Sequence, residues 1–153
     1  MRKIKIREAA FGEPGVQRLI AAALAELSAR YGGSGDDTPV DASDFAPPNG
    51  AFLVAEDETG RLIGCAGWRT HGDDAELKRM FTLADARGRG VARQVLAAIE
   101  DSARARGRKR VILETGDKQP EAIALYEKSG YERIEDFGFY KGEPGVLSYA
   151  RSL

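Results

Sequence analysis

Cysteine is almost absent from this chain of 153 residues: Cys65 stands alone, which excludes an internal disulfide. With His71 the single histidine, no zinc site of Cys and His ligands can be assembled either. No stretch approaches the roughly 20 apolar residues of a membrane span. The amino terminus, MRKIKIREAA, is basic but has no apolar run long enough for a signal peptide. An excess of one charge is also lacking. Charged residues make up 31% of the chain, yet the net charge is −1, so nothing draws the molecule as a whole to nucleic acid or to a membrane. These absences predict a cytoplasmic protein, and its length predicts a single domain over 1–153 with room for a real core.

What is present is a series of short periodic segments. Ile4 and Ile6 alternate with basic residues over 3–8, the pattern of a half-buried strand. Pro14 opens a helix whose stripe is Val16, Leu19, Ile20, Ala23, Leu24 and Leu27, and which stops near Tyr31. Residues 33–49, rich in Asp, Pro and Gly, read as a loop with a short helical turn near 41–45. Strands over 51–56 and 61–69 flank the turn Asp57-Glu58-Thr59-Gly60. A second turn at 71–74 leads to a strand over 75–83. Cys65 shares a strand face with Ile63 and Gly67 and reads as core filler. Further on come a long helix ended by Gly107, a buried strand at 111–113, a helix from Pro120 to Ser129, and strands at 131–134 and 146–150. The sum is an α/β fold with a mixed sheet.

The segment ADARGRGVARQVLAAIE, residues 84–100, carries the strongest functional signal. Val91, Val95 and Ile99, with Ala92, Leu96 and Ala103 beside them, make one apolar stripe directly after Gly88 and Gly90. A loop of small residues opening into a helix leaves the first amides free, and the helix dipole adds to their pull on an anion. Gly88 and Gly90 have no Cβ to hold a bulky phosphate away, and Arg87, Arg89 and Arg93 supply charge. The run is a pyrophosphate cradle. It is not a P-loop, because no Gly-Lys-Ser/Thr follows, and not a dinucleotide fingerprint, because Arg93 stands where the third glycine belongs.

What fits is R-x-x-G-x-A, formed by Arg87, Gly88, Arg89, Gly90, Val91 and Ala92. This resembles the acetyl-coenzyme A loop of the GNAT superfamily of N-acetyltransferases. The resemblance extends to ELKRMF (76–81), similar to the strand that runs into that loop, and to LETGDKQPEAIALYEKSGYE (113–132), similar to the second family signature. It implies a mixed, mostly antiparallel sheet flanked by helices, with a splayed central strand pair. It also implies acetyl-CoA as co-substrate, with no metal.

The resemblance further assigns roles. A bulge in the strand before the loop is to splay the sheet, with Phe81, Thr82 and Leu83 at the position whose N–H groups bind pantetheine and polarise the thioester. Arg87, Gly88, Arg89, Gly90, Val91 and Ala92 are to hold the pyrophosphate. Tyr126 matches the tyrosine that protonates the departing thiolate; it also fits as a buried aromatic completing a helix stripe with Ala122 and Ile123. Gln119 stands where the family often has asparagine, and is either a pantetheine contact or part of a helix cap. Glu76 is the candidate general base, or else a strand glutamate paired with Lys78.

The reading is an N-acetyltransferase that moves acetyl from acetyl-CoA to a primary amine by direct attack. The acceptor is a small-molecule or peptide amine, and neither nucleic acid nor membrane is a partner. The alternative is a catalytically inactive coenzyme A-binding sensor. Asp36, Asp37, Asp41 and Asp44 would steer a cationic acceptor, and Phe137, Phe139 and Tyr140 would form a substrate wall or a homodimer interface.

Overall fold

The computed structural model describes residues 3–153, so Met1 and Arg2 of the basic amino-terminal stretch lie outside the described residues. The chain runs β1 (Lys5–Glu8), α1 (Pro14–Tyr31), β2 (Gly50–Glu56), β3 (Leu62–His71), β4 (Asp74–Thr82), α2 (Val91–Ala105), β5 (Arg110–Gly116), α3 (Pro120–Lys128), β6 (Glu132–Arg133) and β7 (Val146–Ser152). Seven strands form one sheet in the order β1-β2-β3-β4-β5-β7-β6. All neighbours are antiparallel except β4 and β5. The mixed, mostly antiparallel sheet flanked by helices is therefore the fold of this chain.

Period-2 alternation divides β2 between two layers. Ala51, Leu53 and Ala55 face the layer built with α2, while Phe52 and Val54 face the layer built with α1. The α2 stripe of Val91, Val95, Leu96, Ile99 and Ala103 is buried throughout, as its spacing predicts. Burial of each of the larger side chains is worth roughly 1.5–3 kcal/mol. Trp68 is fully buried in this layer and donates its indole N–H to Ser102 Oγ at 2.9 Å. Cys65 packs in the α1 layer, whereas Ile63, expected beside it, packs in the α2 layer. Among the described residues no helix is long and apolar enough to cross a membrane.

Two features open the sheet. The parallel pair β4–β5 is joined only at Ala75↔Val111 and Glu76↔Ile112, and beyond these the strands diverge. On its other side β4 bulges against β3. Between the pairs Gly67↔Lys78 and Cys65↔Phe81, β4 carries one residue more than its partner, and Arg79 has φ 58°. Such a bulge raises local twist and turns β4 away from β5. The central strand pair is thus splayed, and the wedge between its arms is a cleft.

Helix α1 roofs this wedge. Val16, Leu19, Ile20 and Ala23 are buried in its first half, but Leu24 and Leu27 continue the stripe over open sheet and line the cleft. Its last turn reaches across to the loop before α3: Arg30 donates to the Lys118 carbonyl at 3.1 Å, and Lys118 N–H donates to Tyr31 Oη at 3.1 Å. Gly116 makes this possible, since a Cβ there would lie 2.0 Å from the Tyr31 hydroxyl.

Candidate active site

The cleft between the splayed strands has a volume of about 270 Å³. Its walls combine apolar side chains, Leu24, Leu27, Met80, Leu113 and Tyr126, with charged ones, Asp36, Lys78, Arg79 and Glu114.

The bulge explains the charged cluster. It breaks strict alternation, so the consecutive side chains Lys78 and Arg79 both reach the segment 36–38. Lys78 Nζ donates to Thr38 Oγ1 at 3.2 Å. Arg79 donates Nη1 to Asp36 and Nη2 to the Thr38 carbonyl, the latter at 3.3 Å. Tyr140, from the loop between β6 and β7, donates its hydroxyl to Asp36 Oδ1 at 2.7 Å and its backbone N–H to Glu114 Oε2 at 3.0 Å. Burial lowers the Lys78 pKa, and Asp36, Glu76 and Glu114 oppose that shift. Burial would raise Asp36, but Lys78, Thr38 and Tyr140 together outweigh it and hold the carboxyl below its usual range. Glu114 goes the other way. Burial raises its pKa, and the Tyr140 N–H and Lys78 only partly offset this.

Tyr126, also lining the cleft, is buried on α3 at 6% exposure, beside the rings of Tyr131 and Tyr149. Among the described residues its hydroxyl has only the Met80 sulfur, 3.7 Å away on the bulged strand, as a weak acceptor. Burial raises the phenol pKa, which keeps it protonated. Gln119 precedes α3 and lines the cleft, and its side chain makes no cap to the helix.

The strand end beyond the bulge is resolved amide by amide. Leu83 N–H is already donated to the Ile63 carbonyl at 2.9 Å. Alternation along a strand then turns the Thr82 N–H to the opposite edge, towards the splay.

The loop after β4 leads into α2 through Gly88 (φ 81°) and Gly90 (φ 78°), the latter at the helix N-cap. No side chain caps this end, and the first intrahelical bond is Gln94 N–H to the Gly90 carbonyl at 3.1 Å. The amides of Val91, Ala92 and Arg93 thus have no intrahelical acceptor. A Cβ on Gly88 or Gly90 would meet no protein atom within 4 Å, so it would project into open space over this end. An anion can approach there, and the loop fits a pyrophosphate.

The Val91 side chain belongs to the core, leaving only its amide for such a role. The arginines differ. Arg87 is held by the Thr82 carbonyl at 3.1 Å and Glu26 at 2.7 Å, and lies over the Phe81 ring. Arg89 donates to the Asp85 carbonyl at 2.9 Å. Arg93 is exposed on the first turn of α2.

Glu76 is buried at 3% exposure, accepts from Arg69 Nε at 3.0 Å, and does not line the cleft. Arg69 continues to the Pro39 carbonyl at 2.8 Å and to Asp44 at 3.3 Å. The acidic segment also divides: Asp36 belongs to the cleft, whereas Asp41 and Asp44 cap the single helical turn Ala42–Phe45. Of the aromatic trio only Tyr140 reaches the cleft. Phe137 packs on His71, and Phe139 is 52% exposed. Lys78 and Arg79 lie within ELKRMF and Glu114 within LETGDKQPEAIALYEKSGYE, but neither motif gave them a role, because their partners lie far away in sequence.

Comparison with known proteins gives first a class and then a family. The fold matches a Klebsiella pneumoniae protein structure named for the acyl-CoA N-acyltransferases, with TM-score 0.86 and 28% identity over 98% of this chain and 97% of that one. A GNAT family acetyltransferase from Elizabethkingia anophelis, solved with acetyl-CoA bound, shares the fold at TM-score 0.71 and 18% identity, covering 98% of each chain. In sequence, an IAA acetyltransferase of Azospirillum brasilense is 41% identical over 116 residues, 74% of this chain and 75% of that protein. The acetyltransferase (GNAT) family model matches residues 16–131. This chain belongs to the GNAT acetyltransferase family.

Proposed function

We propose that the protein is an N-acetyltransferase that uses acetyl-CoA to acetylate a primary amine by direct attack. The observation that carries this is an inter-strand cleft lined by both a buried, protonated tyrosine and an ionisable carboxylate, with an open glycine loop at the strand's exit.

In this reading the amides of Gly88 to Ala92, with Arg87 and Arg89 beside them, hold the pyrophosphate, and Phe81, Thr82, Leu83 and Gln119 border the pantetheine arm. Bound there, acetyl-CoA supplies an acetyl group activated as a thioester. Thr82 N–H serves as the donor to the thioester oxygen, because the Leu83 N–H is already engaged. Glu114 accepts the proton whose loss makes the amine nucleophilic, since it lines the cleft and Glu76 does not. Glu76 supports the site through Arg69 and through its charge on Lys78. As the N–C bond forms and the C–S bond breaks, Tyr126 gives its proton to sulfur. The second amine proton restores Tyr126, and the proton on Glu114 leaves to solvent.

The test is Tyr126→Phe. It removes a hydroxyl held only by a sulfur acceptor, so melting temperature and acetyl-CoA affinity should hold. General acid catalysis is worth about 10²–10⁴-fold, or roughly 3–5 kcal/mol, and kcat should fall on that scale. Wild-type turnover by the variant with a chemistry-limited acceptor would make Tyr126 a packing residue. Coenzyme binding with no transfer to any amine would favour the sensor instead.

A further inference from the structure

The cleft is lined by two cations and two anions, all buried or half-buried: Lys78 and Arg79 against Asp36 and Glu114. The set is neutral overall, yet among the described residues it is incompletely paired. The Arg79 side chain is 7% exposed, and while its two terminal nitrogens are engaged, its Nε is buried without a partner. Glu114 has one oxygen on the Tyr140 N–H, and the other, Oε1, is buried without a partner. Lys78 makes one hydrogen bond from three donors. A buried donor on β4 and a buried acceptor on β5, left unmatched on the two arms of the cleft, are costly in the free protein, and such groups call for a ligand that satisfies both.

A ligand that answers this pattern offers a cationic donor to Glu114 and an anionic acceptor to Arg79 and Lys78. We propose that the acceptor is a free α-amino acid, bound as the zwitterion with its ammonium on Glu114 and its carboxylate towards Lys78 and Arg79. Both unmatched atoms belong to residues that line the cleft. A simple amine would answer Glu114 but leave Arg79 Nε and the spare Lys78 donors unmatched. A peptide amino terminus lacks the adjacent carboxylate. The volume of about 270 Å³ also favours a small acceptor. This assignment rests on the acetyltransferase reading and names the acceptor class of that site.

The experiment uses the intact protein with acetyl-CoA and the proteinogenic L-amino acids, each beside its decarboxylated amine and its carboxamide. Calorimetric titration of the same amino acids into the protein with coenzyme A runs in parallel. At least one amino acid should be acetylated with kcat/KM about 100-fold or more above its decarboxylated amine, or roughly 2.7 kcal/mol. Arg79→Lys retains a charge for Asp36 but loses the Nε–H, and should shrink that advantage by about tenfold or more, chiefly through KM. Decarboxylated amines acetylated as well as the amino acids would overturn the assignment and leave the transferase reading intact. Calorimetric binding without transfer to any compound would keep the zwitterion site and sink the transferase reading. Neither binding nor transfer of any amino acid would refute the proposal outright.

Discussion

At the residue scale Glu114 makes opposite demands on stability and on rate. Burial raises its pKa in the folded protein, so the native state holds that proton more tightly than the unfolded chain does. Its contribution to stability is therefore greatest at low pH and is lost as pH rises through the raised value. Replacement by Gln removes the ionisation cost, so Glu114→Gln at neutral pH should melt no lower than wild type. Its rate should behave differently. As a base Glu114 works only when ionised, so wild-type kcat/KM should fall as pH drops through a value above the ordinary carboxyl range. Glu114→Gln should lose about 10²–10⁴-fold in rate together with that acid limb. Glu76→Gln serves as the contrast. Breaking its buried pair with Arg69 should cost on the order of 3–5 kcal/mol in denaturant unfolding, with a smaller effect on the chemistry. Should Glu76→Gln prove the one that abolishes rate while stability holds, the two carboxylates have exchanged roles.

At the scale of the element, the unit that matters is the loop of residues 83–90 with α2. Its glycines are neither fillers nor hinges: a Cβ at Gly88 or Gly90 would strike nothing in the protein, but would stand where an anion must approach. Gly90→Glu puts bulk and negative charge at the N-cap of α2. Calorimetry should show acetyl-CoA affinity lost, with the far-UV spectrum retained. The left-handed backbone itself costs a side chain roughly 1–2 kcal/mol, so a control is needed. Gly142→Ala provides it: φ is 83° there, a Cβ is equally free, and the position is outside the loop. It should lose comparable stability and keep its coenzyme. Loss of binding in both variants would assign the effect to strain.

The whole molecule is two layers hung on one divided sheet. The layer under α2 is continuous from Leu53 through Trp68 to Leu113 and Tyr149, and Ile99 lies fully buried within it. Ile99→Ala should cost about 2–5 kcal/mol by cavity formation. For a chain of this size that lowers the melting temperature by roughly 5–15 °C, with the single Trp68 as the reporter. Coenzyme affinity of the still-folded variant should be unchanged, because Ile99 does not line the cleft.

The sequence alone determined those features whose cause is local. Helix α1 follows from Pro14 and its stripe, α2 from Val91, Val95 and Ile99 after two glycines, and the hairpin of β2 and β3 from a four-residue turn. Tyr126 and the glycine loop were equally legible, because each sits in a contiguous motif. The tertiary structure decided what depends on distant partners. The family resemblance implied a bulge in β4, but its place is fixed only by the register against β3, and only then do Lys78 and Arg79 both reach the segment 36–38. Glu114 reads as one more strand glutamate until a loop 26 residues away brings Tyr140 to it and burial raises its pKa. Glu76 stood in the expected strand position, but Arg69 across the ladder takes its carboxylate. Desolvation and long-range pairing set the chemistry of a carboxylate, and neither is written in the neighbouring residues.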